Sequence, residues 1–114
     1  MSARGLTLTE LLIVLVILGI LGTMSLPNLL AARRAADEGV ALAHAHNVLK
    51  AAWAHLSENQ GAAPVEGDCT DGFTAGSYSV PDPGPAVVSC QLTWTDGLPR
   101  VEVRSRSGRS FTLP

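Results

Sequence analysis

From Leu11 to Leu30 the chain carries no charged side chain, and one carboxylate, Glu10, stands at the head of the run. About 20 such residues rise roughly 30 Å as a helix, enough to cross the hydrocarbon core of a bilayer. The Leu, Ile and Val side chains of the run contribute on the order of −4 to −8 kcal/mol on the membrane-insertion scale. An acidic residue costs on the order of 3 kcal/mol on the same scale. Insertion therefore survives Glu10, most easily with that carboxylate at the interface. The run reads as a membrane helix, and the rest of the chain as what it carries.

The 114 residues favour one domain, and what remains beyond the apolar run is small enough that its core must be thin. A net charge of −2, a pI near 5.8 and only 4% aromatic residues argue against nucleic acid as the main partner. Both cysteines, Cys69 and Cys90, lie outside the apolar run, and in an exported chain they read as one disulfide rather than a metal site. His44 and His46 point to nearly opposite sides of a helix, while His44 and His55 share a face about three turns apart. Neither spacing chelates a metal, so the histidines read as solvated or subunit-contact residues. No nucleophile–base–acid set and no phosphate loop is present. The expectation is a non-enzymatic chain with no catalytic residue, cofactor or metal.

The leader has an unusual form. A secretory signal places its cleavage site after the apolar region. Here the short basic stretch Met1-Ser2-Ala3-Arg4-Gly5 precedes it. At Gly5-Leu6-Thr7-Leu8-Thr9-Glu10 the sequence resembles the type IV pilin and pseudopilin superfamily, with a basic leader ending in Gly, Glu at the fifth mature position and a long apolar helix. Pro27, at the twenty-second mature position, also matches. Leu6 stands where Phe is usual, and Thr9 where Ile is usual. The likeness is close from Gly5 to about Arg34 and architectural beyond. It implies cleavage between Gly5 and Leu6 by a prepilin peptidase, N-methylation of Leu6, a pilus assembly platform as partner, and polymerisation with copies of itself or with other pilins.

That resemblance gives Glu10 a role. Cleavage leaves a positive amine on Leu6, and in a filament a neighbour's amine pairs with Glu10; a buried carboxylate is tolerated when paired and costly when alone. The pair sets register more than it adds stability. The plainer role is a Glu that helps begin the helix. Arg33 and Arg34 after the span, against Arg4 before it, would by themselves place the C-terminus in the cytoplasm. The cysteines and the leader resemblance point the other way, to a cytoplasmic N-terminus in the inner membrane before assembly and a cell-surface filament after it. Gly19, Gly22 and Pro27 weaken the helix. Residues 19 to 27 are expected to melt on assembly, lengthening the segment by roughly 14 Å.

Beyond the span, an alanine-rich stretch continues the helix to about Gln60, with Gly61 as its stop. The whole would run roughly 80 Å if straight. Leu42, Ala45, Leu49, Ala52, Trp53 and Leu56 form one apolar face, and Arg33–Asp37 and Arg34–Glu38 are candidate i, i+4 pairs. Residues 61–85 read as a long loop with a short strand near Tyr78. From residue 86 the pattern turns to period two: Val88, Cys90, Leu92 and Trp94, then Val101 and Val103, then Phe111 and Leu113 share a face, with turns at Asp96-Gly97 and Ser107-Gly108. A Cys69–Cys90 bridge would tie the loop to the first main strand. Arg100, Arg104 and Arg106 are placed with Glu102 on the outward face of one strand, with Arg109 nearby. They read as a solvated face that discourages edge pairing, with DNA contact as the alternative use.

The expected fold is α+β, a long N-terminal helix whose second half packs on a small three- or four-stranded antiparallel sheet. The segments are the leader 1–5, the membrane and filament-core helix 6–30, the amphipathic helix 31–60, the αβ-loop 61–85 and the meander 86–114. The expected function is that of a pilin, serving twitching motility, adhesion or DNA uptake. The alternatives are a pseudopilin of a secretion or competence system and a single-span anchored binding domain that never polymerises.

Overall fold

The structure, a computed structural model, describes residue 5 and residues 7–114. Leader residues 1–4 and Leu6, on which the cleavage reading rests, lie outside the described residues. Two units are present, one ending at Arg33 and a head formed by Arg34–Pro114. One helix, α1 (Leu8–Glu58, 51 residues), supplies the first unit and opens the second. It ends where alanine-rich sequence gives way to Asn59-Gln60-Gly61, and Gly61 leaves at φ 91°, a conformation that costs glycine little.

In the first unit every described residue is exposed, including Leu12, Leu15, Leu18, Leu21 and Leu26 at 55–59%. Among the described residues this is the helix long and apolar enough to cross a membrane.

In the head, six strands follow: β1 (Gly67–Asp68), β2 (Phe73–Ala75), β3 (Tyr78–Val80), β4 (Val87–Thr95), β5 (Leu98–Ser105) and β6 (Ser110–Leu113). They form a four-stranded antiparallel sheet in the order β1-β4-β5-β6 and a separate β2–β3 hairpin. The α+β architecture expected from the sequence is present. Segment 61–85 is more ordered than a plain loop: it contains three short strands, in keeping with the rarity of long structureless loops in compact domains. At β4–β5 the turn is Asp96-Gly97, both at positive φ (54° and 79°), as a two-residue type I′ hairpin requires.

The inward strand positions are Cys90 and Leu92 on β4, Val101 and Val103 on β5, and Phe73, Ala75 and Val80 on the hairpin. They meet Ala41, Ala45, Val48, Ala51 and Ala52 of α1. The buried helical stripe is thus rotated from the expected one. Ala45 and Ala52 belong to it, but Leu42, Leu49 and Leu56 are half-buried at its rim and Trp53 is 40% exposed. Small residues hold the centre because they let the sheet approach the helix closely, and the long side chains flank it. Trp53 instead meets the edge of Trp94, ring centroids 6.1 Å apart at 70°.

Val88 departs from the expected face too. The β4–β5 register shifts between Val87 and Ser89, so Val88 is the extra residue of a β-bulge. Val87 turns inward at 6% exposed, and Val88 outward at 55%.

The β2–β3 turn tests the packing directly. Gly76 sits at φ +60°, and a Cβ there would lie 2.5 Å from Nδ1 of His55. Gly76→Ala is expected to destabilise the head by about 1–2 kcal/mol through backbone strain and displacement of His55. Urea unfolding checks this: an unchanged midpoint would show that the turn relaxes freely.

Candidate assembly segment and head surface

The N-terminal motif folds into a reciprocal cap. The Glu10 N–H donates to Thr7 Oγ1 at 3.2 Å, and the Thr7 N–H donates to Glu10 Oε2 at 3.4 Å. With α1 starting at Leu8, Thr7 is the N-cap and Glu10 the third helical residue, the Thr-x-x-Glu capping box. In the single chain, Glu10 therefore satisfies its own helix start. The cap matches the plainer of the two roles expected for Glu10, helping to begin the helix, and the spacing of Thr7 and Glu10 is the signal that identifies its partner.

Further along, α1 is unbroken through Pro27. Proline cannot donate to the carbonyl four residues earlier, and hydroxyls nearby engage exposed backbone oxygens. Thr23 Oγ1 donates to the Ile20 carbonyl at 2.7 Å, and Ser25 Oγ to the Leu21 carbonyl at 2.9 Å. Such back-bonding bends and slightly weakens helices. Gly19 and Gly22, with no atom near their missing Cβ positions, line a shallow apolar groove with Leu18, Thr23, Ser25 and Leu26. Weak backbone and close-approach surface thus coincide on one stretch.

On the head, the acidic pair Asp37 and Glu38 does not turn back to Arg33 and Arg34. Arg106 holds Asp37 at 3.0 Å, and Arg109 holds Glu38 at 3.4 Å. Ser107 adds a hydroxyl to Glu38 at 3.2 Å. The β5–β6 turn carries its cations to the helix, where the two carboxylates are already partly covered and gain more from a fixed partner than from a flexible neighbour. Arg106 lies past the end of β5 rather than on the strand, and Arg109 also stacks on Phe111 at 5.3 Å. Of the four arginines grouped from the sequence, Arg100 and Arg104 stand on the outward face of β5 beside Glu102, and the other two clasp the turn to α1.

Two tethers fix the rest of the head. The Cys69–Cys90 disulfide is formed, Cα atoms 4.9 Å apart, and both residues are fully buried. His44 is buried beside it, its Nε2–H donating to the Cys69 carbonyl at 2.7 Å. That corrects the solvated reading of this histidine: it occupies a core position on the α1 stripe because a backbone carbonyl there satisfies it. Trp94 Nε1 donates to the Val65 carbonyl at 2.8 Å, tying the segment before β1 to β4.

Two surface groups are shifted. Asp68 lies below the usual carboxylate range because the Thr70 hydroxyl and N–H both donate to it. The Tyr78 phenol is raised because it donates to Glu58 at 2.7 Å. A raised folded-state value means the Tyr78 contribution is complete below about pH 10 and is lost as pH rises through the folded value. Tyr78→Phe is expected to remove that alkaline dependence from the urea midpoint; an identical pH profile in the variant would show that the bond adds nothing to stability.

In chain order, a helix long and apolar enough to cross a membrane precedes a small α+β head tied by one disulfide. The family model described as the prokaryotic N-terminal methylation motif matches residues 1–26. Over 49 residues the chain is 47% identical to the type IV wide pilus major component PilA4 of Thermus thermophilus, covering 43% of this chain and 37% of that protein. The match therefore spans well under half the length of that relative. No solved structure matches the chain significantly. The N-terminal motif and this relative support the resemblance of the chain to the type IV pilin and pseudopilin superfamily.

Proposed function

We propose that this chain is a pilin, cleaved between Gly5 and Leu6 by a prepilin peptidase, methylated on Leu6, and polymerised by the assembly platform into a surface filament. The observation that carries the reading is the unburied helix directly behind the methylation motif: among the described residues, none of the membrane-length window is buried. An apolar surface of that extent needs lipid or other helices around it. The bilayer serves before assembly, with the N-terminus cytoplasmic, and neighbouring copies serve in the filament.

Filaments sheared from cells and examined by mass spectrometry provide the test. The expected chain begins at methylated Leu6; retention of residues 1–5 on a chain found only in membranes would favour a plain anchor. In a map of the same filaments, extended density between Gly19 and Pro27 is expected, where glycines, back-bonded hydroxyls and proline coincide. Straight helical density through Pro27 would remove the melting step and leave the pilin reading intact.

A further inference from the structure

We propose that the dithiol form of this chain holds a buried metal site made by Cys69, Cys90 and His44, and that disulfide formation dismantles it. One donor atom from each of the three residues lies within 4.8 Å of the other two. The cysteines are fully buried, and His44 is 4% exposed. This reading does not depend on the filament reading.

Sequence spacing hides the trio, since His44 is on α1, Cys69 follows β1 and Cys90 is in β4. Packing of the helix stripe on the sheet brings them together. The Cys69 N–H donates to the Cys90 carbonyl at 3.0 Å, so a backbone hydrogen bond as well as the sulfur bridge holds the two cysteines opposite each other. The Cα atoms are 4.9 Å apart, and Cβ atoms joined by a disulfide generally stand about 3.8 Å apart. Tetrahedral binding with metal–sulfur bonds near 2.3 Å needs sulfurs about 3.7 Å apart. Rotation about the Cα–Cβ bonds supplies that separation without backbone movement.

Of the two imidazole nitrogens, Nδ1 is the one left open for a metal. A carbonyl only accepts, so Nε2 of His44 carries a proton, and in the neutral ring Nδ1 then holds the lone pair. Metal-bound imidazoles commonly give their other N–H to such a carbonyl. Two thiolates and one imidazole suit zinc and similar borderline-soft divalent cations, with water at a fourth position.

The chemistry balances. Two thiols bind one divalent ion and release two protons. A small disulfide oxidant then takes two electrons from the thiolates, giving the Cys69–Cys90 bond, two oxidant thiolates and the free ion. Metal thus protects the thiols until a sufficient oxidant arrives.

The test uses the full chain in detergent micelles, reduced with a phosphine and titrated with cobalt(II), then with zinc. Expected are a thiolate-to-cobalt charge-transfer band at one equivalent, its loss on adding zinc, and no band in the oxidised chain. Cys90→Ser should abolish the band, and both His44→Ala and His44→Gln should weaken zinc binding roughly tenfold or more, the scale of a lost metal partner. Zinc should also slow re-oxidation by glutathione disulfide. Absence of the band, or a zinc affinity unchanged in both His44 variants, would overturn the three-ligand site. So would a reduced head that unfolds and is not refolded by zinc.

Discussion

Cells carrying Glu10→Gln are expected to make essentially no filaments of this chain, although the subunit reaches the membrane and keeps its helix. The capping box makes this substitution more informative than Glu10→Ala. Glutamine at the third helical position still accepts from the N-cap N–H, so the helix start that Thr7 and Glu10 build is preserved. What glutamine cannot supply is the negative charge that a neighbour's Leu6 amine would need. A buried charge deprived of its partner costs about 3–5 kcal/mol. At about 1.4 kcal/mol per tenfold, that raises the subunit concentration needed for growth by roughly a hundredfold or more. Thr7→Val is the companion: it removes the hydroxyl of the cap and leaves the charge, and filaments should persist. Electron microscopy of sheared material from both strains separates the two roles of Glu10. Normal filaments with Glu10→Gln and none with Thr7→Val would make capping the whole function of that carboxylate.

The same residue shows what a sequence can and cannot disclose. The apolar run and its lone acid are local patterns, and the long helix is readable from them because helix propensity acts on local patterns. The Asp96-Gly97 turn is readable for the same reason, since few residues accept positive φ at both hairpin positions. Pairings between distant segments are less legible. Asp37 and Glu38 lie at helix spacing from Arg33 and Arg34, yet the fold presents them to Arg106 and Arg109, about 70 residues away, and nothing local encodes that. Strict alternation misplaces Val88 by one residue because a bulge breaks it, and Val87 and Val88 are the same amino acid. A hydrophobicity pattern draws the helix stripe through leucines because large side chains dominate it. Close packing against a sheet instead selects the alanines between them. Spacing relates His44 only to the other histidines, whereas its partner is a carbonyl on the far side of the core.

Replacing both cysteines with alanine is expected to cost the head about 3 kcal/mol, the loop-closure value for a bridge between residues 21 apart in sequence. The melting temperature should fall by roughly 12–24 °C, at about 4–8 °C per kcal/mol for a domain of this size. Two features of the head make it vulnerable. Its helix contributes four alanines and one valine to the centre of the core, so little apolar area is available from that side. Its largest fully buried side chain is Leu92, whose truncation to alanine would cost a comparable 2–5 kcal/mol or so. One bridge therefore stabilises about as much as the best-packed residue. A domain of some 80 residues has about 4–12 kcal/mol in total, so the variant should still fold at room temperature. The bridge acts largely on the unfolded chain, which it keeps compact, so the alanine variant should also show a steeper dependence on urea. Chemical denaturation of the two proteins measures both quantities. A midpoint and slope unchanged by the double substitution would mean that the pairing of Gly67 and Asp68 with Leu92 and Gln91 already holds β1 in place without a covalent link.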